Sequence, residues 1–226
     1  MSETSDVVRR AADYPYERPS RPFAQLGRRI MDPEEAGIDP DQRVPLLAYG
    51  SNAAPRVLAR KLALSRDPAL VVPATLHGFD VVYSAHISPY GAIPATLQRS
   101  SGTAVEVHVI YMTEAQIELI TATEPNYEPA LLEDVECRLE GGEALADLTA
   151  YVSRHGCLLL DGSEAALAAV PASARTLPEL AEAEALERVR ALTAPNEDVD
   201  SFVLANVVDP ELARARSTGL ERREFR

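Results

Sequence analysis

The stretch TAVEVHVIYM, residues 103–112, alternates between two sets of side chains along its length. Such an alternation of period two predicts a β-strand with one buried face. One set is Ala104, Glu106 and His108, and the opposed set is Val105, Val107 and Val109. Two more strand candidates precede it, FDVVYSAH at 79–86 and IPATLQR at 93–99. No helical pattern separates the three candidates, which favours antiparallel pairing.

The flanking segments add a strand and two helices to this prediction. The apolar run VPLLAY at 44–49 is typical of a short buried strand. The following segment, 52–64, predicts a helix with Asn52 as its N-cap and a proline in the first turn. Nearer the C-terminus, RTLPELAEAEALERVRAL predicts an amphipathic helix that opens with a capping box of Thr176 and Glu179.

A further helix is predicted directly after the central strands, in TEAQIELITATEPNYE. Thr113 and Gln116 have the spacing of a capping box at its start. Pro125 ends it, because the residue before a proline avoids the helical region of backbone space. Glu124 is therefore expected at the end of a helix, just beyond an apolar stripe.

Together these elements predict an α+β fold on a curled, largely antiparallel sheet or barrel. A doubly wound parallel sheet is disfavoured because the strands between 79 and 111 follow one another without helices. Residues 1–43 are rich in charge and proline and predict an irregular N-terminal arm. Residues 44–155 form the predicted domain, and residues 156–226 a helical extension that packs on it.

The composition limits the classes of function that remain. Of the 226 residues, 46% are hydrophobic and 25% charged, as in ordinary globular proteins. The net charge of −13 disfavours nucleic-acid binding. The N-terminus lacks a signal-peptide core and no run reaches roughly 18 apolar residues, so we expect a cytoplasmic protein that binds no membrane. Cys137 and Cys157 are too few for a metal site.

The segment LLAYGSNAAP contains the first candidate for a binding site. It joins a predicted strand to a predicted helix, where backbone N–H groups lack partners and the helix dipole favours an anion. Gly50 allows a tight turn and a close approach of a ligand to the backbone. A plain strand-to-helix turn explains the same residues, and both interpretations stay open. The glycine motifs of nucleotide-binding loops are absent.

Glu124 is the second candidate. A carboxylate beside an apolar helix end is suited to general acid–base chemistry if it is half-buried, whereas an exposed helix-end glutamate has no such role. The four histidines lack the spacing of a zinc hydrolase. Ser51 lies outside a nucleophile-elbow motif. Lys61, the only lysine, is attributed to composition bias.

Five segments in order, LLAYGSN, GAIPATL, VEVHVIYMT, ELITATEPNY and LTAYVS, resemble the γ-glutamylcyclotransferase-like family. The resemblance covers about residues 44–155. It implies a small, mostly antiparallel β-barrel with flanking helices. It also implies an enzyme that converts a γ-glutamyl amide to 5-oxoproline and a free amine by intramolecular attack, without metal or cofactor. The expected partner is a small-molecule γ-glutamyl substrate, and the alanine-rich C-terminal helix leaves a homodimer open.

The resemblance also implies roles for individual residues. Glu124 matches the family's catalytic acid/base. The residues that match the γ-glutamyl-binding loop and the tyrosines of the pocket are Tyr49, Gly50, Ser51, Asn52, Tyr127 and Tyr151. The sequence departs from the family pattern at Ala53, Thr121 and Pro125, which motivates an alternative, a non-catalytic module that binds a small acid on the same fold.

Overall fold

A computed structural model describes residues 3–225 of the chain. Its helices are α1 (Glu3–Ala12), α2 (Pro33–Ala36), α3 (Pro55–Lys61), α4 (Glu114–Thr121), α5 (Glu182–Thr193), α6 (Val199–Val208) and α7 (Pro210–Thr218). Its strands are β1 (Phe23–Leu26), β2 (Arg29–Met31), β3 (Val44–Ala48), β4 (Ala69–Tyr83), β5 (Ala95–Met112), β6 (Tyr127–Leu132), β7 (Cys137–Leu139), β8 (Ala144–Leu145), β9 (Leu148–Ser153), β10 (Cys157–Leu160), β11 (Ser163–Glu164), β12 (Ala166–Leu167), β13 (Ala172–Ser173), β14 (Glu179–Leu180) and β15 (Arg222–Arg223). Within these bounds no helix combines the length and apolar character needed to span a bilayer.

The centre of the fold is a long antiparallel hairpin of β4 and β5. The two strands predicted at 93–99 and 103–112 are one continuous strand of 18 residues. The pairing shifts between His77 and Phe79, so residues 100–103 form an irregular bulge opposite Gly78. A hydrogen bond between the hydroxyls of Ser100 and Thr103 (2.7 Å) closes this bulge.

The main sheet has the strand order β14-β12-β4-β5-β3-β9-β6. Its pairs are antiparallel except β3 with β9 and β12 with β14. The mixed α+β class is therefore confirmed, but the predicted barrel is wrong. In the described part of the chain, β6 and β14 are the two terminal strands of this order. They do not pair with each other, so the sheet stays open. Strands β10, β11 and β15 form a small separate sheet.

Residues 3–43 contain regular structure where the sequence predicts an irregular arm. Besides α1, the strands β1 and β2 form a hairpin, and β1 extends the sheet next to β4. Phe23 and Ala24 of β1 are 5% and 0% exposed. Burial of these side chains stabilises β1, although the nearby prolines predict a break in regular structure.

The C-terminal region contains α5, α6 and α7, and also six short strands, β10–β15. The predicted capping box of Thr176 and Glu179 is wrong, because α5 begins six residues later, at Glu182. Glu179 instead lies in β14, which pairs in parallel with β12, and its carboxylate bonds to Arg175 (2.8 Å). Pairing with the sheet therefore prevails over the local capping signal.

Helices α3 and α4 pack on the same patch of the sheet. Leu58 of α3 and Ile120 of α4 are both fully buried, in one cluster with Leu46 and Ile110. Burial of each such side chain contributes about 1.5–3 kcal/mol to stability. This shared patch brings the end of α3 close to the turn that follows α4.

Candidate functional site

The loop after β3 runs from Tyr49 into a 3-10 turn at Ser51–Ala53. The first N–H groups of such a turn have no acceptor within it and remain available to a ligand. Gly50 packs closely, since a Cβ at this position would lie 2.8 Å from the hydroxyl oxygen of Tyr14. That oxygen accepts a hydrogen bond from the Ala95 N–H at 2.9 Å. The absence of a side chain at Gly50 thus allows the loop to rest on Tyr14.

Asn52 is not the N-cap of the helix that follows. Helix α3 begins at Pro55 with Ala54 at the capping position, so Asn52 lies too early to cap it. Its side-chain amide instead donates to Glu124 Oε1, 2.8 Å away and 72 positions later in the sequence. The predicted cap is therefore wrong, and the residue links the loop to the carboxylate.

Glu124 lies in the turn after α4. The capping box predicted for this helix is confirmed, with both Thr113–Gln116 hydrogen bonds present. The helix ends at Thr121, and Glu124 N–H closes the turn by donating to its carbonyl at 3.0 Å. The Glu124 side chain is 13% exposed. Its position thus corresponds to the half-buried alternative rather than to an exposed helix end.

Lys61, the last residue of α3, was not predicted as a site residue. Its Nζ lies 2.5 Å from Glu124 Oε1, and its side chain is 9% exposed. Burial lowers the pKa of Lys61, and the neighbouring Glu124 carboxylate opposes that shift. A lone lysine among many arginines was the only sequence signal, and it did not indicate a partner.

Both contacts with Glu124 therefore fall on the same oxygen. Lys61 and Asn52 bond to Oε1, while no hydrogen bond joins Oε2 to any residue in the range 3–225. Oε2 is also not among the buried polar atoms that lack a partner. This oxygen remains accessible to a ligand.

The three candidate tyrosines support the same region through hydrogen bonds. Tyr127 donates its hydroxyl proton to the Ala95 carbonyl (2.9 Å). The hydroxyl of Tyr151 bonds to that of Thr121 (2.5 Å), and Tyr49 donates to the Tyr151 carbonyl. Burial raises the pKa of Tyr49, Tyr127 and Tyr151, so these phenols stay neutral.

A cavity of about 460 Å³ joins these residues. All seven residues proposed from the sequence lie on its wall: Tyr49, Gly50, Ser51, Asn52, Glu124, Tyr127 and Tyr151. Its wall also includes residues that the sequence did not indicate, among them Arg10, Tyr14, Tyr16, Arg60, Lys61, His86 and Tyr90. Arg10, Tyr14 and Tyr16 belong to the N-terminal segment, so this segment completes the wall.

The charge of the cavity differs from that of the chain. Among the described lining residues the cations are Arg10, Arg60 and Lys61, and the carboxylate is that of Glu124. The chain as a whole carries −13. An excess of cations in an acidic protein favours a ligand that brings negative charge.

The sequence matches no family model and no curated protein. Solved structures similar to it include two Arabidopsis thaliana proteins determined in solution. One is 27% identical over 50% of this chain and 62% of its own length, with a TM-score of 0.38. The other is 23% identical over 50% and 70%, with a TM-score of 0.39. A γ-glutamyl cyclotransferase is also similar, at 14% identity over 80% and 90%, with a TM-score of 0.40.

Proposed function

We propose that this protein is a γ-glutamyl cyclotransferase-like enzyme that converts a γ-glutamyl amide to 5-oxoproline and a free amine. The observation that supports this most is the environment of Glu124. One carboxylate oxygen is held by Lys61 and Asn52, and the other is free on the wall of the cavity that the Tyr49–Asn52 loop also lines. The reaction needs one positioned carboxylate and a group of donors that binds the substrate, and Glu124 and the loop are suited to these two roles.

The chemistry is an intramolecular acyl transfer. The α-amine of the substrate attacks its own γ-carbonyl, a carbon–nitrogen bond forms to close the five-membered ring, and the original amide bond breaks. Both protons that the α-nitrogen loses end on the leaving amine, which departs as an ammonium ion. A well-aligned intramolecular attack reaches effective molarities on the order of 10⁵ M or more, so alignment supplies much of the rate.

Glu124 Oε2 is the proposed proton carrier. It takes a proton from the α-ammonium group as base and returns it to the leaving nitrogen as acid. Lys61 and Asn52 act on Oε1 and fix the orientation of the carboxylate. The partners on one oxygen thus direct the other towards the substrate.

The loop is the proposed grip on the substrate. The N–H groups at the start of the 3-10 turn, residues 50–52, are suited to bind the α-carboxylate or the oxyanion of the tetrahedral intermediate. The cations Arg10 and Arg60 add attraction for the carboxylate of a small acidic substrate.

The test is release of 5-oxoproline from a panel of γ-glutamyl amino acids, amines and peptides, followed by chromatography. Glu124→Gln should lower turnover by about 10²- to 10⁴-fold, the range for loss of a general acid–base. Glu118→Gln is the matched control, because Glu118 is an exposed carboxylate on α4, the helix that precedes Glu124, and does not line the cavity. Full turnover by Glu124→Gln with an unchanged circular dichroism spectrum would refute the proposal.

The second candidate is a module that binds a small acid without converting it. The ion pair favours it, because Lys61 already neutralises Glu124 before any ligand enters. Titration calorimetry separates the two candidates. Saturable binding of γ-glutamyl compounds with no 5-oxoproline released would favour the binding module.

A further inference from the structure

His86 lies in the segment between β4 and β5 and lines the cavity while being only 2% exposed. Its ring stacks on that of His155 with centroids 4.6 Å apart. It also meets the ring of Tyr127 edge-on, with centroids 5.7 Å apart. Tyr127 N–H in turn donates to the Glu124 carbonyl at 3.1 Å. His86 is therefore adjacent to the turn that carries the proposed acid–base.

A chain of hydrogen bonds reaches His86 from β9. The His155 N–H donates to Ser153 Oγ (3.0 Å), which bonds to Ser84 Oγ (2.6 Å). Ser84 Oγ lies 2.7 Å from His86 Nδ1. Nδ1 is thus engaged within the protein.

The direction in which these hydrogen bonds donate determines the tautomer of His86. If Nδ1 donated to Ser84, and Ser84 to Ser153, the Ser153 hydroxyl proton would have no acceptor among residues 3–225. In the opposite direction Ser153 donates to Ser84, and Ser84 donates to Nδ1, so the one proton without a partner lies on Nε2, which is not fully buried, rather than on the buried Ser153 hydroxyl. Neutral His86 then carries its proton on Nε2.

Nε2 is the ring nitrogen that remains for a ligand. It bonds to none of the described residues, and it is not one of the fully buried atoms without a partner. Burial, together with His155, lowers the pKa of His86 to about 3, which keeps the imidazole neutral near pH 7. His155 and Tyr127 are the titratable groups whose rings contact it, and burial lowers the pKa of His155 as well.

We propose that His86 is a further catalytic residue, a neutral donor whose Nε2–H stabilises the oxyanion formed on the substrate γ-carbonyl. This inference rests on the proposed function. As the α-amine attacks, the carbonyl π electrons move onto oxygen, and they return when the leaving amine departs. A donor fixed in advance lowers the energy of this intermediate without itself having to reorient. Ser84 and Ser153 are positioning residues that hold the proton on Nε2.

Kinetics of His86 variants test the role. His86→Phe keeps an aromatic ring but removes the donor, and we expect kcat to fall by about 10²-fold with KM nearly unchanged. His86→Gln places an amide N–H near the Nε2 position and should recover about tenfold of that loss. His77→Phe is the matched control, because His77 lies on β4 and does not line the cavity.

Two kinetic results overturn the inference in distinguishable ways. If His86→Phe retains kcat within about twofold of the wild type, the role of His86 is wrong while the proposed function stands. If the wild type releases no 5-oxoproline from any substrate, the proposed function fails and the role of His86 fails with it.

Nitrogen-15 spectra of the histidine rings test the tautomer independently of activity. At pH 7 the wild type should show the proton of His86 on Nε2, and Ser84→Ala should redistribute it between the two nitrogens. A proton found on Nδ1, or a doubly protonated ring, would overturn the assignment.

Discussion

Lys61 and Glu124 form an ion pair at 2.5 Å in which the two side chains are 9% and 13% exposed. Helices α3 and α4 create this pair by packing on one apolar patch. Because Asn52 shares the same carboxylate oxygen, the pair leaves Oε2 as the oxygen available to a ligand. The first prediction concerns this arrangement.

Lys61→Met should lower turnover by about 10- to 100-fold, because Glu124 then loses one of the two groups that orient it. Lys61→Arg keeps the charge and should recover part of the loss. Burial lowers the pKa of Lys61 below its ordinary 10.5. Activity that depends on its charge is present below this lowered pKa and is lost as the pH rises through it.

The pH–rate profile measures this dependence. The alkaline limb should lie below pH 10.5 in the wild type and move to higher pH in Lys61→Arg, since arginine keeps its proton there. Identical alkaline limbs in the two proteins would contradict a role for the Lys61 charge.

Gly50→Ala should reduce kcat/KM, because its Cβ would lie 2.8 Å from the Tyr14 hydroxyl oxygen and one of the two must move. Tyr14→Phe removes that oxygen, so we expect the two substitutions to be non-additive in a double-mutant cycle. Gly219→Ala is the control, since its nearest contact is 3.5 Å and it lies at the end of α7. Additive effects at positions 14 and 50 would rule out the predicted clash.

Lowering the pH should reduce the free energy of unfolding, because His86 is buried in its neutral form. The unfolded chain protonates this histidine near pH 6.5 and the folded protein only near pH 3, so the unfolded state binds more protons in between. The associated stability is complete above pH 6.5 and is lost as the pH falls towards 3. The full effect corresponds to roughly 4–5 kcal/mol.

Urea denaturation at a series of pH values tests this prediction. His86→Gln has no group that titrates in this window, so its free energy of unfolding should fall less between pH 7 and pH 4 than that of the wild type. Parallel curves for the two proteins would show that His86 is not the group responsible.

Asp80→Ala should cost about 3–5 kcal/mol of stability, because it removes the buried carboxylate that pairs with the buried Arg175 guanidinium and leaves only the exposed Glu179 as its carboxylate partner. The Asp80 and Arg175 side chains are 0% and 5% exposed and bond at 2.9 Å. Arg188→Ala is the control. It breaks a pair with Asp161 in which the Asp161 side chain is 84% exposed, and it should cost less than about 1 kcal/mol.

The free energies of unfolding of both variants can be read from urea melts. Arg175 lies in the segment between β13 and β14 and Asp80 on β4, so this pair attaches the C-terminal region to the central hairpin. Equal losses for Asp80→Ala and Arg188→Ala would contradict the importance of burial.

The sequence predicted a local feature correctly where the interactions that stabilise it join residues close together in the sequence. The capping box at Thr113 and Gln116 formed as expected, because its two hydrogen bonds depend on residues three positions apart. A pattern of the same spacing failed at Thr176 and Glu179, where pairing with β12 places Glu179 in β14. Two capping-box patterns thus gave opposite results in two tertiary contexts.

The candidate site shows the same division between local and long-range causes. The family resemblance assigned the loop and Glu124 to one site, but no pattern predicted the direct contacts of Asn52 and Lys61 with Glu124 across 72 and 63 positions. Asn52 read as a helix cap because caps are recognised from nearby residues alone. Its contact with Glu124 depends on the packing of α3 and α4 on the same patch of the sheet, which the local sequence does not show.

By itself the sequence determined the period-two strands, the helix starts with local capping and the α+β class, since these follow from interactions among neighbouring residues. Tertiary structure alone decided that the sheet stays open, that N-terminal tyrosines complete the cavity, and that the single lysine contacts Glu124. The physical reason is that periodicity records which face of an element is buried. It does not record which distant residue that face will meet.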